Sequence, residues 1–306
     1  MRRILCLLVA LFMALCVASM LTSCITTLTE PLALSFEEKI VIHGVLKAGE
    51  PVRDIAISKS LPALSAISDS ATAIYDARGT LSVNGRTFPL ALQSDVQSGA
   101  SLYTALNNGA PIIAEAGAMY TLNVQWEGKS AEAQTSVPTA PQVQDTRLLQ
   151  REILSLTSAT YIPGTQPVTT TRRDTLLSAE ISIIPLPETA YRASVYLADV
   201  RGNTLTGSYD GSLVLSTNAT NIASALVSGL LPLQTQVFSR AMPVRTIATV
   251  TAFDKAYYDY ALTRSRGQQA ANLFGGTNGE NVLWNVRGDG IGLFIGVAAV
   301  QRVVAP

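Results

Sequence analysis

Histidine and cysteine are nearly missing from this chain, and their scarcity removes most of the familiar catalytic and metal chemistry. His43 is the single histidine, which excludes two-histidine zinc sites and the facial triad of non-haem iron. A Ser-His-Asp arrangement would have to use His43. That residue lies in Lys39–Lys47, an apolar run that reads as a first strand, where a histidine with a satisfied hydrogen bond is the expectation. No Gly-x-Ser-x-Gly elbow occurs. Charge is also sparse, at 14% of residues, and it is balanced at 22 basic against 22 acidic. A chain so poor in basic excess is not built for nucleic acid. Abundant Ala, Thr, Ser, Leu and Val with few charges suits sheet more than exposed helix. No cofactor is expected.

What the chain does have begins at its N-terminus. Arg2 and Arg3 precede an apolar run, Ile4–Met20, broken only by Ser19, and Leu21-Thr22-Ser23-Cys24 follows. That tetrapeptide resembles the lipobox of a bacterial lipoprotein precursor. The resemblance implies diacylation of the Cys24 thiol, removal of residues 1–23 and a mature protein held to a membrane by more than one acyl chain. A plain transmembrane helix is disfavoured, because the run ends in small residues and a cysteine with no following positive charge. Removing the leader also removes Cys6 and Cys16. The only cysteine left is the lipid carrier, which excludes an intrachain disulfide, a cysteine nucleophile and a thiolate metal site. The remaining length supports one large or two medium domains with cores of their own.

After a tether, 24–38, residues 39–137 carry the punctuation of a small β-sandwich. Strands are expected over Lys39–Lys47, Arg53–Lys59, Ala71–Ala77, Thr80–Val83, Arg86–Gln93, Ala118–Trp126 and Ser130–Val137. Asn84-Gly85 accepts the positive φ of a type I′ turn, and Glu127-Gly128-Lys129 closes the last hairpin. Tyr120, Leu122, Val124 and Trp126 alternate onto one face. Seven short strands in this length is the immunoglobulin-like or transthyretin-like pattern. Pro138 and Pro141 mark a stiff linker, 138–144.

The remainder, 145–306, is expected to form a sheet closed on itself, a lipocalin-like barrel with one late helix, so that the fold is all-β and mostly antiparallel. Strands are read over Leu148–Leu156, Leu176–Ile184, Arg192–Val200, Ser212–Ser216, Gln236–Ala241, Arg245–Phe253 and Gly290–Val304. Ile162–Thr171 and Gly275–Asn281 read as loops. Asn218–Leu231 fits either a capped helix or a hairpin. Asp254–Arg266 is the best helix, with Phe253, Tyr257 and Ala261 on one face and Tyr258 and Leu262 beside it.

Several short segments, in this order, resemble the domain of unknown function 4249 family of Bacteroidetes lipoproteins. They are the Ser23-Cys24 lipobox, Ile40–Gly44 with Pro51 and Ile55–Ser58, Ala118–Val124 running into Val137-Pro138, Phe253–Tyr260, and Asn285–Phe294. The closing motif departs from the family pattern, which usually has adjacent glycines where this chain has Arg287-Gly288-Asp289-Gly290, and residues 145–240 match poorly. The resemblance implies a two-part, mostly β lipoprotein of the outer membrane that occurs beside transporters driven by TonB. It carries over no catalytic residue.

Five features are candidates for sites. Phe253, Tyr257, Tyr258 and Tyr260 cluster aromatics in a chain with few, and such rings suit sugar or peptide recognition. Packing of the helix on the sheet is favoured, with Tyr258 or Tyr260 the ring left exposed. Gly288, Gly290, Gly292 and Gly296 fail the dinucleotide spacing and read as a turn and a closely approached strand. Arg287-Gly288-Asp289 is a chance-level match to an integrin-binding tripeptide. Asp69-Ser70-Ala71 and Asp174-Thr175-Leu176 resemble the O-glycosylation acceptor of exported proteins in this bacterial group, which would place glycans at Ser70 and Thr175 on exposed loops. Asn218-Ala219-Thr220 has N-glycosylation spacing that a bacterial envelope would not use. Ile25-Thr26-Thr27-Leu28 lacks both the inner-membrane retention signal and the acidic export cluster, which favours the periplasmic face of the outer membrane over the cell surface. The leading expectation is therefore a non-catalytic binding or accessory module. Behind it stand a structural subunit of a surface assembly, working by strand addition, and a hydrolase using Asp254 and Asp259.

Overall fold

The computed structural model describes residues 36–304 apart from 63–64, 67, 94–100, 161–167, 206–207, 212–213, 217–222, 233–243 and 275–281. The chain divides into two units, Met1–Glu37 and Glu38–Pro306, and every element described here belongs to the second. It is mostly β.

β1 (Ile40–Lys47) buries Ile40, Ile42, Gly44 and Leu46 and turns His43 and Lys47 outward, the alternation that a pleated strand imposes. β2 (Ile55–Lys59) returns antiparallel to it. One turn of helix, α1 (Asp69–Thr72), follows. β3 (Arg78–Val83) and β4 (Arg86–Leu92) are joined by Asn84-Gly85, whose φ angles of 49° and 73° are both positive, as a type I′ turn requires. β5 (Leu102–Asn107) and β6 (Ala110–Pro111) turn at Asn108-Gly109, and β7 (Met119–Trp126) and β8 (Lys129–Ser136) turn at Glu127-Gly128, again with positive φ at each residue.

Then come β9 (Gln142–Thr160), β10 (Val168–Ile184), β11 (Thr189–Asp199), β12 (Tyr209–Asp210), β13 (Val214–Ser216), β14 (Ala223–Pro232) and β15 (Val244–Phe253). The helix α2 (Lys255–Phe274), β16 (Val286–Gly288) and β17 (Gly290–Val303) end the chain. Among the described residues no helix is long and apolar enough to cross a membrane.

Two layers enclose a first core. β17, β1, β2 and β5 form one and β3, β7, β8 and β16 the other. β4 passes between them, pairing with β3 through Arg86–Pro89 and with β5 through Leu90–Leu92. Ile40, Ile42, Ile55 and Ile57 meet Leu81, Tyr120, Leu122 and Val124 between the layers. Trp126 closes one end of this sandwich. Its indole N–H donates to Asp76 at 3.1 Å, while the Lys59 and Lys129 ammoniums stand 5.8 and 5.2 Å from the ring centre, both reaching Glu38. A second core lies between β11 and β15 on one side and β9 and β10 on the other, built from Ala179, Ile181 and Ile183 against Ala193, Val195, Ala248 and Val250.

β17 joins the two halves. It runs parallel to β1, pairing Ile40 to Lys47 with Gly290 to Val297, and antiparallel to β15, pairing Phe253 with Val297. This placement corrects the closed barrel expected over 145–306. The strand that would return to close it pairs with β1 instead, so the described strands form open, sandwich-like layers. Gly296 is the tightest point of the join, since a Cβ there would lie 2.3 Å from the Ser136 carbonyl oxygen. At Gly292, φ is +127° and a Cβ would strike the Ile42 carbonyl. The glycines do mark a strand approached by other backbone.

The segment Ala71–Ala77, expected as a strand, is α1 followed by an irregular stretch. Ser68 caps α1 by accepting the Ala71 N–H at 3.2 Å. Beyond it the backbone finds partners on side chains of the β5 region: the Ser101 hydroxyl accepts the Ile74 N–H, and the Tyr103 hydroxyl donates to the Ile74 carbonyl at 2.7 Å and accepts the Ala77 N–H at 3.2 Å. β5 and β6 were absent from the sequence reading. Asn218–Leu231 resolves as neither of its two expected forms in full, with strand from Ala223 onward and 218–222 outside the described residues. Val168–Thr171 is strand rather than loop. Gln236–Ala241 and Gly275–Asn281 lie outside the described residues.

Candidate functional site

α2 begins where it does because Asp254 caps it. One carboxylate oxygen accepts the Tyr257 N–H at 3.1 Å, and the Asp254 carbonyl accepts the Tyr258 N–H at 3.0 Å. The other carboxylate oxygen accepts the Thr135 hydroxyl of β8, and the Asp254 N–H donates to Gly296 of β17 at 3.0 Å. A single residue, 4% exposed, thus fastens helix, β8 and β17 together. Burial pushes its carboxyl above the ordinary aspartate value of 3.8, against the downward pull of the bonds from Thr135 and the helix N–H groups.

Where β8 runs past the end of β16 it faces the first turn of α2, leaving a cleft of about 390 Å³. Met119, Glu132, Gln134, Lys255, Asp259 and Arg287 line it. A second cavity, of about 330 Å³, opens over the outer face of β7 and β8 and shares Glu132 and Arg287 with the first. Lys255 is committed, 2.7 Å from Glu188 and 3.3 Å from Asp259. Its hydrogen bond to Glu188 holds the ammonium above the usual lysine value, although desolvation opposes this. Asn285 ties the cleft's far wall together. Its amide N–H groups donate to the Gln134 and Phe294 carbonyls, and its side-chain oxygen accepts the Phe294 N–H at 2.9 Å.

Around the helix from the cleft runs a row of rings. Phe253 stacks on Tyr257 with centroids 4.4 Å apart, Tyr257 lies 6.1 Å from Tyr260, and Tyr260 lies 5.3 Å from Trp284. Two arginines stand against the row: Arg192 stands 6.0 Å from the Phe253 ring centre, and Arg264 stands over Tyr260 and donates to its hydroxyl at 3.2 Å. Tyr257 and Tyr260 are half-buried and Trp284 is exposed, whereas Tyr258 is buried. Of the two rings expected to remain accessible, Tyr258 therefore packs inward. Trp284 was missed from the sequence, since its ring partner Tyr260 lies far from it along the chain.

A further cavity of about 370 Å³ lies on the first sandwich, lined by Arg86, Phe88 and Ile113 among others. Its polar rim closes on itself, with Asn84 donating to Glu115 at 3.0 Å and the Arg86 guanidinium over Phe88 at 5.1 Å.

The remaining candidates scatter. Ser70 is exposed on α1, while Thr175 sits inside β10 with strands paired on both sides of it, so the expected loop position holds for neither glycan motif as such. Asp289 is engaged locally, accepting the Ser130 N–H at 2.9 Å. His43 is exposed on β1. Cys24 and Asn218–Thr220 lie outside the described residues. Among the described residues no group of three or more His, Cys, Asp or Glu side chains stands together as a metal site.

The sequence model of the family described as "Domain of unknown function (DUF4249)" matches residues 25–302. No curated protein matches the chain. The chain belongs to that family.

Proposed function

We propose, taking membership of the DUF4249 family as the premise, that this protein is a lipid-anchored, non-catalytic binding module of the outer membrane, acting beside a TonB-dependent transporter. One observation carries the binding part. An open polar cleft is lined by the first turn of the helix that carries the half-buried Tyr257 and Tyr260, while two of the carboxylates that line the cleft are already spent: Asp254 on the helix cap and Thr135, Asp259 on Lys255. Committed carboxylates favour recognition over the acid and base roles that a hydrolase needs. The anchor rests on Leu21–Cys24 and the apolar leader, with the periplasmic face preferred.

In finer detail, we read 39–137, completed by β16 and by the part of β17 that pairs with β1, as an immunoglobulin-like or transthyretin-like domain, 138–144 as a linker that runs into β9, and the remainder of 145–306 as a second domain. Supporting the first is the Tyr120 hydroxyl, which accepts the Glu115 N–H five residues upstream at 2.7 Å, the kind of backward tie that immunoglobulin-like sandwiches use. Tyr191 makes the same tie to Leu186 at 2.8 Å. Glycans at Ser70 and Thr175 remain part of this proposal, and mass spectrometry of the native protein reads both.

A second reading, an assembly subunit working by strand addition, draws on β9. Among the described strands β9 pairs only with β10, and its stretch Ile153–Thr160 has no charge and no proline, so the usual protections of an edge are lacking there.

Affinity purification of the tagged lipoprotein from cross-linked envelope separates the two. A stoichiometric TonB-dependent barrel supports the accessory reading. Fimbrial or adhesin subunits alone, or no partner, would sink it. Cys24→Ser should move the protein from the membrane fraction to the soluble one, and retention in the membrane would contradict the anchor.

A further inference from the structure

We infer that the cleft beside α2 is a binding site for a neutral saccharide, held by Glu132 and Arg287 and stacked on Trp284. This rests on the binding-module reading and names the ligand class of the same site.

Glu132 and Arg287 are cross-strand partners on β8 and β16, so their side chains leave the same face of the sheet. Both are exposed, and both line the two adjoining cavities. Among the described residues neither side chain makes an ion pair or hydrogen bond, whereas Lys255, Asp259 and Asp254 all have partners. What the cleft offers a ligand is therefore one acceptor-only carboxylate beside one donor-only guanidinium. A hydroxyl donates to the first and accepts from the second, and a vicinal diol satisfies both. An anion or a cation would meet one of the two as a like charge.

Two competing ligands are disfavoured by how the cleft is built. A helix N-terminus can hold phosphate, but here Asp254 already supplies the negative group at the first turn of α2. An extended peptide adds to a sheet through a free strand edge. The β8 edge is taken by β16 over Ala131–Ala133, and beyond it Asn285 occupies the Gln134 carbonyl.

The aromatic component lies next to the cleft rather than in its lining: Trp284 immediately precedes Asn285, which does line it. Trp284 is 41% exposed and its ring rests against Tyr260. A ring held by a neighbour loses little freedom on binding, and a flat indole face matches the C–H face of a pyranose, as amphipathic rings at recognition sites do.

The test uses the full chain in detergent, titrated with neutral gluco-, manno-, xylo- and galacto-oligosaccharides, with tetra-alanine and inorganic phosphate as competing probes. Calorimetry gives affinity. Tryptophan fluorescence reports locally, because Trp126 is only 7% exposed and Trp284 is the ring a ligand would touch. At least one oligosaccharide should bind saturably, and Trp284→Ala, Glu132→Gln and Arg287→Gln should each weaken it about tenfold or more, with thermal unfolding unchanged. Arg53→Ala, away from the cleft, should bind as the parent does. Silence from every oligosaccharide overturns the inference, as does sugar binding that ignores Glu132→Gln and Arg287→Gln. Binding of tetra-alanine or phosphate that these variants abolish also overturns it, and leaves the module reading standing with another ligand. Failure to recover a transporter, with sugar binding intact, sinks the accessory partner and not the saccharide.

Discussion

At the scale of single residues, Asp254 has the most consequences. Asp254→Ala removes the cap on α2 and leaves the Thr135 hydroxyl without its acceptor, which should cost about 2–3 kcal/mol in urea unfolding. Asp254→Asn keeps an acceptor for the Tyr257 N–H and should stay within about 1 kcal/mol of the parent. The pH dependence follows from the raised carboxyl. Its folded value lies above the unfolded 3.8, so the folded state holds the proton longer. The stability this contributes is full below 3.8 and is lost as pH rises through the folded value. Asp254→Asn should flatten that decline, and an unchanged profile would show that another group causes it. Gly296 is the other sensitive position. A methyl group 2.3 Å from the Ser136 carbonyl oxygen cannot be accommodated without moving backbone, and Gly296→Ala should lower stability by about 2–3 kcal/mol, measurable by thermal unfolding.

At the scale of elements, strands with clean alternation were legible. β7 buries Tyr120, Leu122, Val124 and Trp126 as its sequence pattern predicts, because period-two burial on a one-sided sheet is a local property. The I′ turn at Asn84-Gly85 was legible for the same reason. The stretch after Thr72 was not. Ala71–Ala77 has strand composition, but its backbone groups are claimed by Ser101 and Tyr103 from a segment far along the chain, and a contact of that kind leaves no mark on local periodicity. Tyr103→Phe should therefore act at a distance. It leaves the Ile74 carbonyl and the Ala77 N–H without their partner, should cost about 1–3 kcal/mol, and should speed hydrogen exchange at the Ala77 amide. Unchanged exchange there would mean that Ser101 alone holds the segment. α2 was found in type and starting point, with Asp254 as its cap rather than its first residue.

At the scale of the whole molecule, the buried tyrosines give a common prediction. Burial raises Tyr103, Tyr120 and Tyr191 above 10.0, outweighing the hydrogen bonds from backbone N–H groups that lower them. A raised folded value means that stability is full below 10.0 and falls as pH climbs through it. Urea midpoints should drop steeply on the alkaline side, with tyrosinate absorbance appearing together with unfolding. Tyrosinate absorbance that reaches completion in the still-folded protein would contradict the burial of these rings.

The candidate site shows the same division between local and tertiary information. Tyr257 and Tyr260 could be named from the chain because four aromatics fall within eight residues of helical sequence. Their partner Trp284 and the pair Glu132 and Arg287 could not, since each pair is more than twenty residues apart in sequence and is brought together only by β16 folding back onto β8. The sequence by itself determined the β-rich class, the hairpin turns at Asn84-Gly85 and Glu127-Gly128, the late helix and, with one histidine in the chain, the exclusion of two-histidine sites, all of which depend on composition and near neighbours. Only the tertiary structure decided that β17 pairs with β1, which opened the expected barrel into layers and carried the 285–287 segment against β8. Strand pairing depends on which distant edges meet with complementary backbone and tolerable side chains, and here Gly292 and Gly296 let the backbones meet where any larger residue would have held them apart.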